Sequence, residues 1–154
     1  MAKRVFIFVF TRLASPWTFG ILMALAVVGF IAFGKLTGAL VVGIAALGLL
    51  AFVEILKALV HKARPQHSVV PPAGYAFPSG HATGTIFLAL LGERMTYLYE
   101  PRWLIPAGLA LLAAVIAIGM SRILLRLHTP FEVAAGYAIG TLWAFGTIYL
   151  LSIS

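Results

Sequence analysis

Residues 38–65 read GALVVGIAALGLLAFVEILKALVHKARP. From Gly38 to Val53 no side chain is charged; then Glu54, Lys57, His61, Lys62 and Arg64 arrive together, and Pro65 closes the run. A helix needs about 20 mostly apolar residues to cross a bilayer, so this stretch predicts a membrane span over 38–60. Pro65 carries no N–H and disfavours helix in the residue before it, so the helix is expected to stop after Arg64. A lysine one turn or more inside an apolar helix is costly unless it snorkels to water or meets an anion. The stretch therefore sets a helical membrane body and leaves a cationic helix end to be explained.

The rest of the chain extends the same pattern. It has 154 residues, 62% hydrophobic and 10% charged, with mean hydropathy +1.07. Soluble domains carry about 25% charged residues. Further apolar stretches over 17–34, 80–99, 103–121 and 131–153 bring the expected count to about five spans. Residues 1–16 are basic at the tip and too short to span, which predicts a retained interfacial helix. The expected fold is all-α: a polytopic transmembrane helix bundle forming one integral-membrane domain over 1–154. With alternating spans, the proline-rich connection 65–78 and the polar break 122–130 share one membrane face.

Charge and donor chemistry narrow the function. The net charge of +7 comes from eleven Lys and Arg against four Glu. Most cations stand at the ends of apolar segments rather than in a basic run with aromatics, so nucleic acid is not an expected partner. The bilayer and a phosphate-bearing ligand are. There is no Cys and no Asp. Thiolate sites are excluded, and with no carboxylate cluster neither a metal nor another cofactor is expected.

Three clusters fall on the shared face. In the first, Lys57 and Arg64 would lie on one helical stripe with His61 between them; the plain alternative is positive anchoring at a helix end. In the second, Pro78-Ser79-Gly80-His81 opens a helix. Its free N–H groups and hydroxyl form an anion cradle, and the alternative is an ordinary serine cap. The third is Ser121-Arg122 followed by His128 and Glu132. If one helix holds His128 and Glu132, their spacing puts them within hydrogen-bond reach. A start at Thr129-Pro130 would leave His128 just outside. Three cations and an amide nest suit a tetrahedral dianion, and two histidines suit attack on phosphorus with protonation of the leaving oxygen.

The ordered set Lys57, Arg64-Pro65; Pro78-Ser79-Gly80-His81; Ser121-Arg122, His128 and Glu132 resembles the three-part signature of the type 2 phosphatidic acid phosphatase superfamily. The resemblance covers residues from about 50 to the C-terminus. It implies that His128 is the nucleophile, forming a phosphohistidine, that Glu132 orients it, and that His81 protonates the leaving group. Lys57, Arg64, Ser79, Gly80 and Arg122 would bind the phosphoryl oxygens. Two departures stand out. The family usually has Asp where Glu132 stands, and its bacterial lipid phosphatases commonly have six spans. A homodimer would cover the flank left by a missing span.

The function expected from this is metal-independent hydrolysis of a lipid phosphomonoester or diphosphate: phosphatidic acid, phosphatidylglycerol phosphate or a polyprenyl diphosphate. The alternatives are a lipid phosphotransferase with the same site, a catalytically weakened anionic-lipid-binding homologue, and a small transporter. The expected location is the plasma (inner) membrane. Cations other than the phosphate binders lean the active face towards the cytoplasm, and one span more or fewer reverses that orientation. Glu54 is expected to pair with Lys57, His61 to be a solvated interfacial residue, and Arg126 to anchor the interface.

Overall fold

The computed structural model describes residues 15–64 and 74–153. Within them run five long helices: α1 Pro16–Ala32, α2 Leu36–Val60, α3 Gly80–Tyr99, α4 Leu104–Leu124 and α5 Pro130–Ile153, with a short 3-10 turn Pro101–Trp103 before α4. No strand occurs among the described residues. The expected interfacial helix over 1–16 lies almost wholly outside them.

Among the described residues, three segments are long and apolar enough to cross a membrane: Leu36–Val60, Pro101–Leu124 and Pro130–Ile153, with mean hydropathies of 2.6, 2.3 and 1.4. Helix α1 has 17 residues, so it rises about 26 Å against a hydrocarbon core of about 30 Å. Helix α3 carries Glu93 and Arg94 and fails on composition. It does not need an apolar surface all round, because it packs on α5 and α4 and also touches α1 and α2. The outward faces are apolar: Leu47, Ile105 and Leu142 are each more than 70% exposed. A surface of this kind is stable against lipid, not water.

The core lies where α1, α2, α3 and α5 meet. Phe19 and Met23 of α1, Val42, Leu49 and Val53 of α2, Phe87 and Leu91 of α3 and Ala144 of α5 are buried there. The Phe19 and Phe87 rings are tilted at 6.0 Å between centroids. Trp143 Nε1 donates to the Ala45 carbonyl at 2.9 Å, tying α5 to α2. Ser15 caps α1 by accepting from Thr18 N at 3.2 Å, and Pro16 stands at the first helical position, where its missing N–H costs nothing.

Two glycines bring α5 against the backbone of α3. A Cβ at Gly140 would lie 2.3 Å from the Thr83 carbonyl oxygen, and one at Gly136 would lie 2.7 Å from that of Ser79. Spaced four apart on α5, they let its backbone come directly against α3, as small residues do between helices in lipid.

The structure corrects one boundary with consequences. Helix α2 ends at Val60, not at Arg64: His61 takes φ 48° and its N–H bonds back to the Lys57 carbonyl. A left-handed residue is a common helix terminator and here acts before the proline can. Lys57 and Arg64 therefore do not share a helical stripe.

Candidate active site

Ser79 caps α3: its Oγ accepts from Ala82 N at 3.5 Å, and its carbonyl accepts from Thr83 Oγ1 at 3.0 Å. Ser79 N donates to the Glu132 carbonyl at 3.2 Å, which docks this helix start onto the first turn of α5. A Cβ at Gly80 would lie 3.5 Å from Lys57 Nζ, so the ammonium sits beside the positive end of α3. Glu54 Oε1 accepts from Lys57 Nζ at 2.6 Å, as expected from their spacing. Arg64 leaves the helix yet reaches the same region, and its Nε donates to the Gly74 carbonyl at 3.2 Å. Two cations beside a helix N-terminus form a strongly anion-attracting corner.

The connection between α4 and α5 is built from two local motifs. Arg126 takes φ 55°, with its N–H bonded to the Ile123 carbonyl and the Leu127 N–H bonded to the Arg122 carbonyl. That paired pattern ends α4 and makes Arg126 a helix terminator with an exposed side chain. At the start of α5, Thr129 N donates to Glu132 Oε2 at 3.0 Å while Glu132 N donates to Thr129 Oγ1 at 3.3 Å. This is a reciprocal capping box around Thr129-Pro130-Phe131-Glu132. His128 is thus outside the helix, and Glu132 folds back to meet it.

The imidazole is held at Nδ1. Ala76 O lies 2.8 Å from it and Glu132 Oε2 lies 3.2 Å away. A carbonyl and a carboxylate can only accept, so Nδ1 carries the proton and Nε2 keeps its lone pair. Burial pushes the His128 pKa down to about 4, the Arg64 charge pushes the same way, and the Glu132 hydrogen bond and charge oppose both. The ring is therefore neutral near pH 7. Burial also lowers the Arg64 pKa, with the Glu132 charge opposing.

A cavity of about 440 Å³ opens beside these groups. Lys57, Arg64, Gly80, His81 and His128 line its polar end, and Phe19, Leu22, Leu49, Val53, Leu111 and Ile118 are among its apolar walls. Ser79, Arg122 and Glu132 do not line it; each is at most 1% exposed. Arg122 Nε donates to Ser121 Oγ at 3.1 Å, and Ser121 Oγ donates to the Ile118 carbonyl at 2.7 Å. The Arg64 charge acts on both Arg122 and His128. His61 lies edge-on to Tyr75 at 4.7 Å, is exposed and does not line the cavity. His67 falls outside the described residues.

Sequence reasoning missed several contributors. The Ala76 carbonyl, the nearer acceptor for His128, carries no side-chain signal. The pattern Thr129-x-x-Glu132 was available as a capping signature, and Gly136-x-x-x-Gly140 as a close-packing one. Lys62, which places Nζ 2.8 Å from Glu132 Oε1, was counted only among the cations of the face.

Residues 36–153 match the PAP2 superfamily. Over 95 residues the chain is 38% identical to a decaprenylphosphoryl-5-phosphoribose phosphatase of Mycobacterium tuberculosis, covering 58% of this chain and 48% of that protein. Over 106 residues it is 37% identical to a lipid A 1-phosphatase of Rhizobium etli, covering 60% of this chain and 40% of that one. It therefore spans about half or less of the length of these relatives. A crystal structure described as the first transmembrane PAP2 type phosphatidylglycerolphosphate phosphatase, from Bacillus subtilis, aligns with a TM-score of 0.82 at 18% identity. That alignment covers 95% of this chain and 75% of the other. At that identity the likeness establishes the transmembrane helical fold alone.

Proposed function

The chain belongs to the PAP2 superfamily, and from that premise we propose that it is a metal-independent integral-membrane phosphatase acting on a lipid phosphomonoester or diphosphate. One observation supports this most: a single cavity joins two histidines and two cations at one end to apolar walls from the helices at the other. A headgroup would meet the cations while its hydrocarbon tail stays among leucines and phenylalanines. The relatives are named as phosphatases of a decaprenylphosphoryl sugar and of lipid A, which favours lipid-linked substrates over soluble ones.

In this reading His128 Nε2 attacks phosphorus and the bond to the leaving oxygen breaks in line. His81 protonates that oxygen, which departs as the lipid alcohol or lipid monophosphate. Water then attacks the phosphohistidine, His81 takes its proton, and inorganic phosphate leaves. Lys57, Arg64, Arg122 and the N–H groups after Ser79 would offset the charge on the equatorial oxygens. The Nδ1–H bond to Ala76, shared with Glu132, keeps the reactive nitrogen aimed and supports the positive charge that forms on the ring.

The test is phosphate release in detergent with EDTA present, from phosphatidic acid, phosphatidylglycerol phosphate and undecaprenyl diphosphate. The reading expects release from at least one substrate and none from His128→Ala. Transfer to an alcohol acceptor in preference to water would favour the phosphotransferase alternative instead.

A further inference from the structure

Lys62 holds no motif position and does not line the cavity, yet it touches the nucleophile's support twice. Its Nζ lies 2.8 Å from Glu132 Oε1, where the lysine side chain is 42% exposed and the glutamate wholly buried. Its backbone carbonyl accepts from Ala76 N at 2.8 Å. Ala76 O and Glu132 Oε2 are the two acceptors facing His128 Nδ1. We propose that Lys62 is the positioning residue of the active histidine, holding the Ala76 carbonyl through its main chain and the Glu132 carboxylate through its side chain. The inference rests on reading His128 as the nucleophile.

The geometry explains why the side chain is needed. Glu132 Oε2 is shared between Thr129 N–H and His128, so the carboxylate plane must stay fixed for both. Lys62 fixes it from the other oxygen. The ammonium also lies 5.9 Å over the Phe131 ring, which stacks on Phe77 at 6.0 Å. The ammonium thus meets the carboxylate at the oxygen that His128 Nδ1 does not face. From there it acts through the carboxylate and not on phosphate.

The pairing also sets charge. The charged and titratable groups around His128 are Lys62 and Arg64 from the segment after α2, Lys57 of α2, His81 of α3, Arg122 of α4 and Glu132 of α5. Burial and, after it, the Arg64 charge keep the imidazole neutral against the pull of Glu132, whose charge Lys62 offsets in part. Without it, an unbalanced carboxylate beside Nδ1 favours the protonated ring, so the His128 titration moves to higher pH.

The test compares the wild-type chain with Lys62→Met, Lys62→Gln and Lys62→Arg, all purified in detergent. The His128 imidazole is titrated by NMR, and kcat and KM are measured for phosphate release from the best lipid phosphate. For Lys62→Met we expect a raised His128 titration and a fall in kcat of about tenfold or more, with KM changed by less than about twofold. Lys62→Arg should restore both. Lys62→Gln, which keeps a donor for Oε1 without the charge, should retain more kcat than Lys62→Met while its titration stays raised. If Lys62→Met misfolds, the Gln and Arg variants decide. A wild-type titration in the Met and Gln variants would overturn the proposal. So would a large rise in KM with weaker vanadate inhibition, which would make Lys62 a phosphate ligand. A wild type that releases no phosphate refutes the phosphatase reading, and the titration still decides the Lys62 contact.

Discussion

Glu132 does three jobs from one side chain: it caps α5, faces His128 Nδ1 and pairs with Lys62. The capping job suits glutamate, because a side chain at the third helical position must reach back to the cap residue. Glu132→Gln keeps that reach and removes the charge. It should leave the unfolding temperature within a few degrees of wild type and lower kcat by about tenfold or more. Glu132→Asp keeps the charge and shortens the arm, so it should lose stability as well, by about 1 kcal/mol. Thermal unfolding and phosphate release on the two variants separate cap from charge. The His128 pKa of about 4 gives a second outcome. The unfolded ring titrates near 6.5 and takes up protons that the folded ring refuses. Stability should therefore fall as pH drops from about 6.5 towards 4, and activity should fall away only near pH 4. The motif residues were legible in the sequence because their chemistry is carried by side-chain type. The Ala76 carbonyl was not, since a backbone acceptor leaves no trace in residue identity.

At the scale of elements, the helix positions followed from hydropathy to within about four residues, and α3 starts and ends where its expected stretch does. The end of α2 was hidden, because the proline at 65 is the stronger signal and a left-handed His61 carries none. The α3–α5 contact was legible only to a reader of Gly136 and Gly140 as a pair. A methyl at Gly140 would meet the Thr83 backbone at 2.3 Å, whereas one at Gly146 would meet nothing within 4 Å. Gly140→Ala should therefore cost about 1–3 kcal/mol and reduce activity by displacing the Ser79–His81 turn. Gly146→Ala should stay within about 1 kcal/mol of wild type. Denaturation in the same detergent compares them. Arg126 sits at φ 55° where glycine is at ease; Arg126→Gly should be neutral or stabilising by up to about 1 kcal/mol.

At the scale of the molecule, the five helices of the described residues bring three separated stretches of sequence to one end of a lipid-facing bundle. Helix α3 carries the Ser79–His81 turn through the middle, and α2, the segment after it and the α4–α5 connection bring cations and the imidazole towards it. The cavity then runs from that end between apolar walls. The central claim is that His128 takes the phosphoryl group covalently. The direct measurement is alkaline quench of the enzyme during turnover of a lipid phosphate labelled with radioactive phosphorus, followed by peptide mapping. The account predicts acid-labile, alkali-stable label on the peptide containing residue 128, absent from His128→Ala. Sustained phosphate release by His128→Ala, or turnover that never labels that peptide, would contradict it.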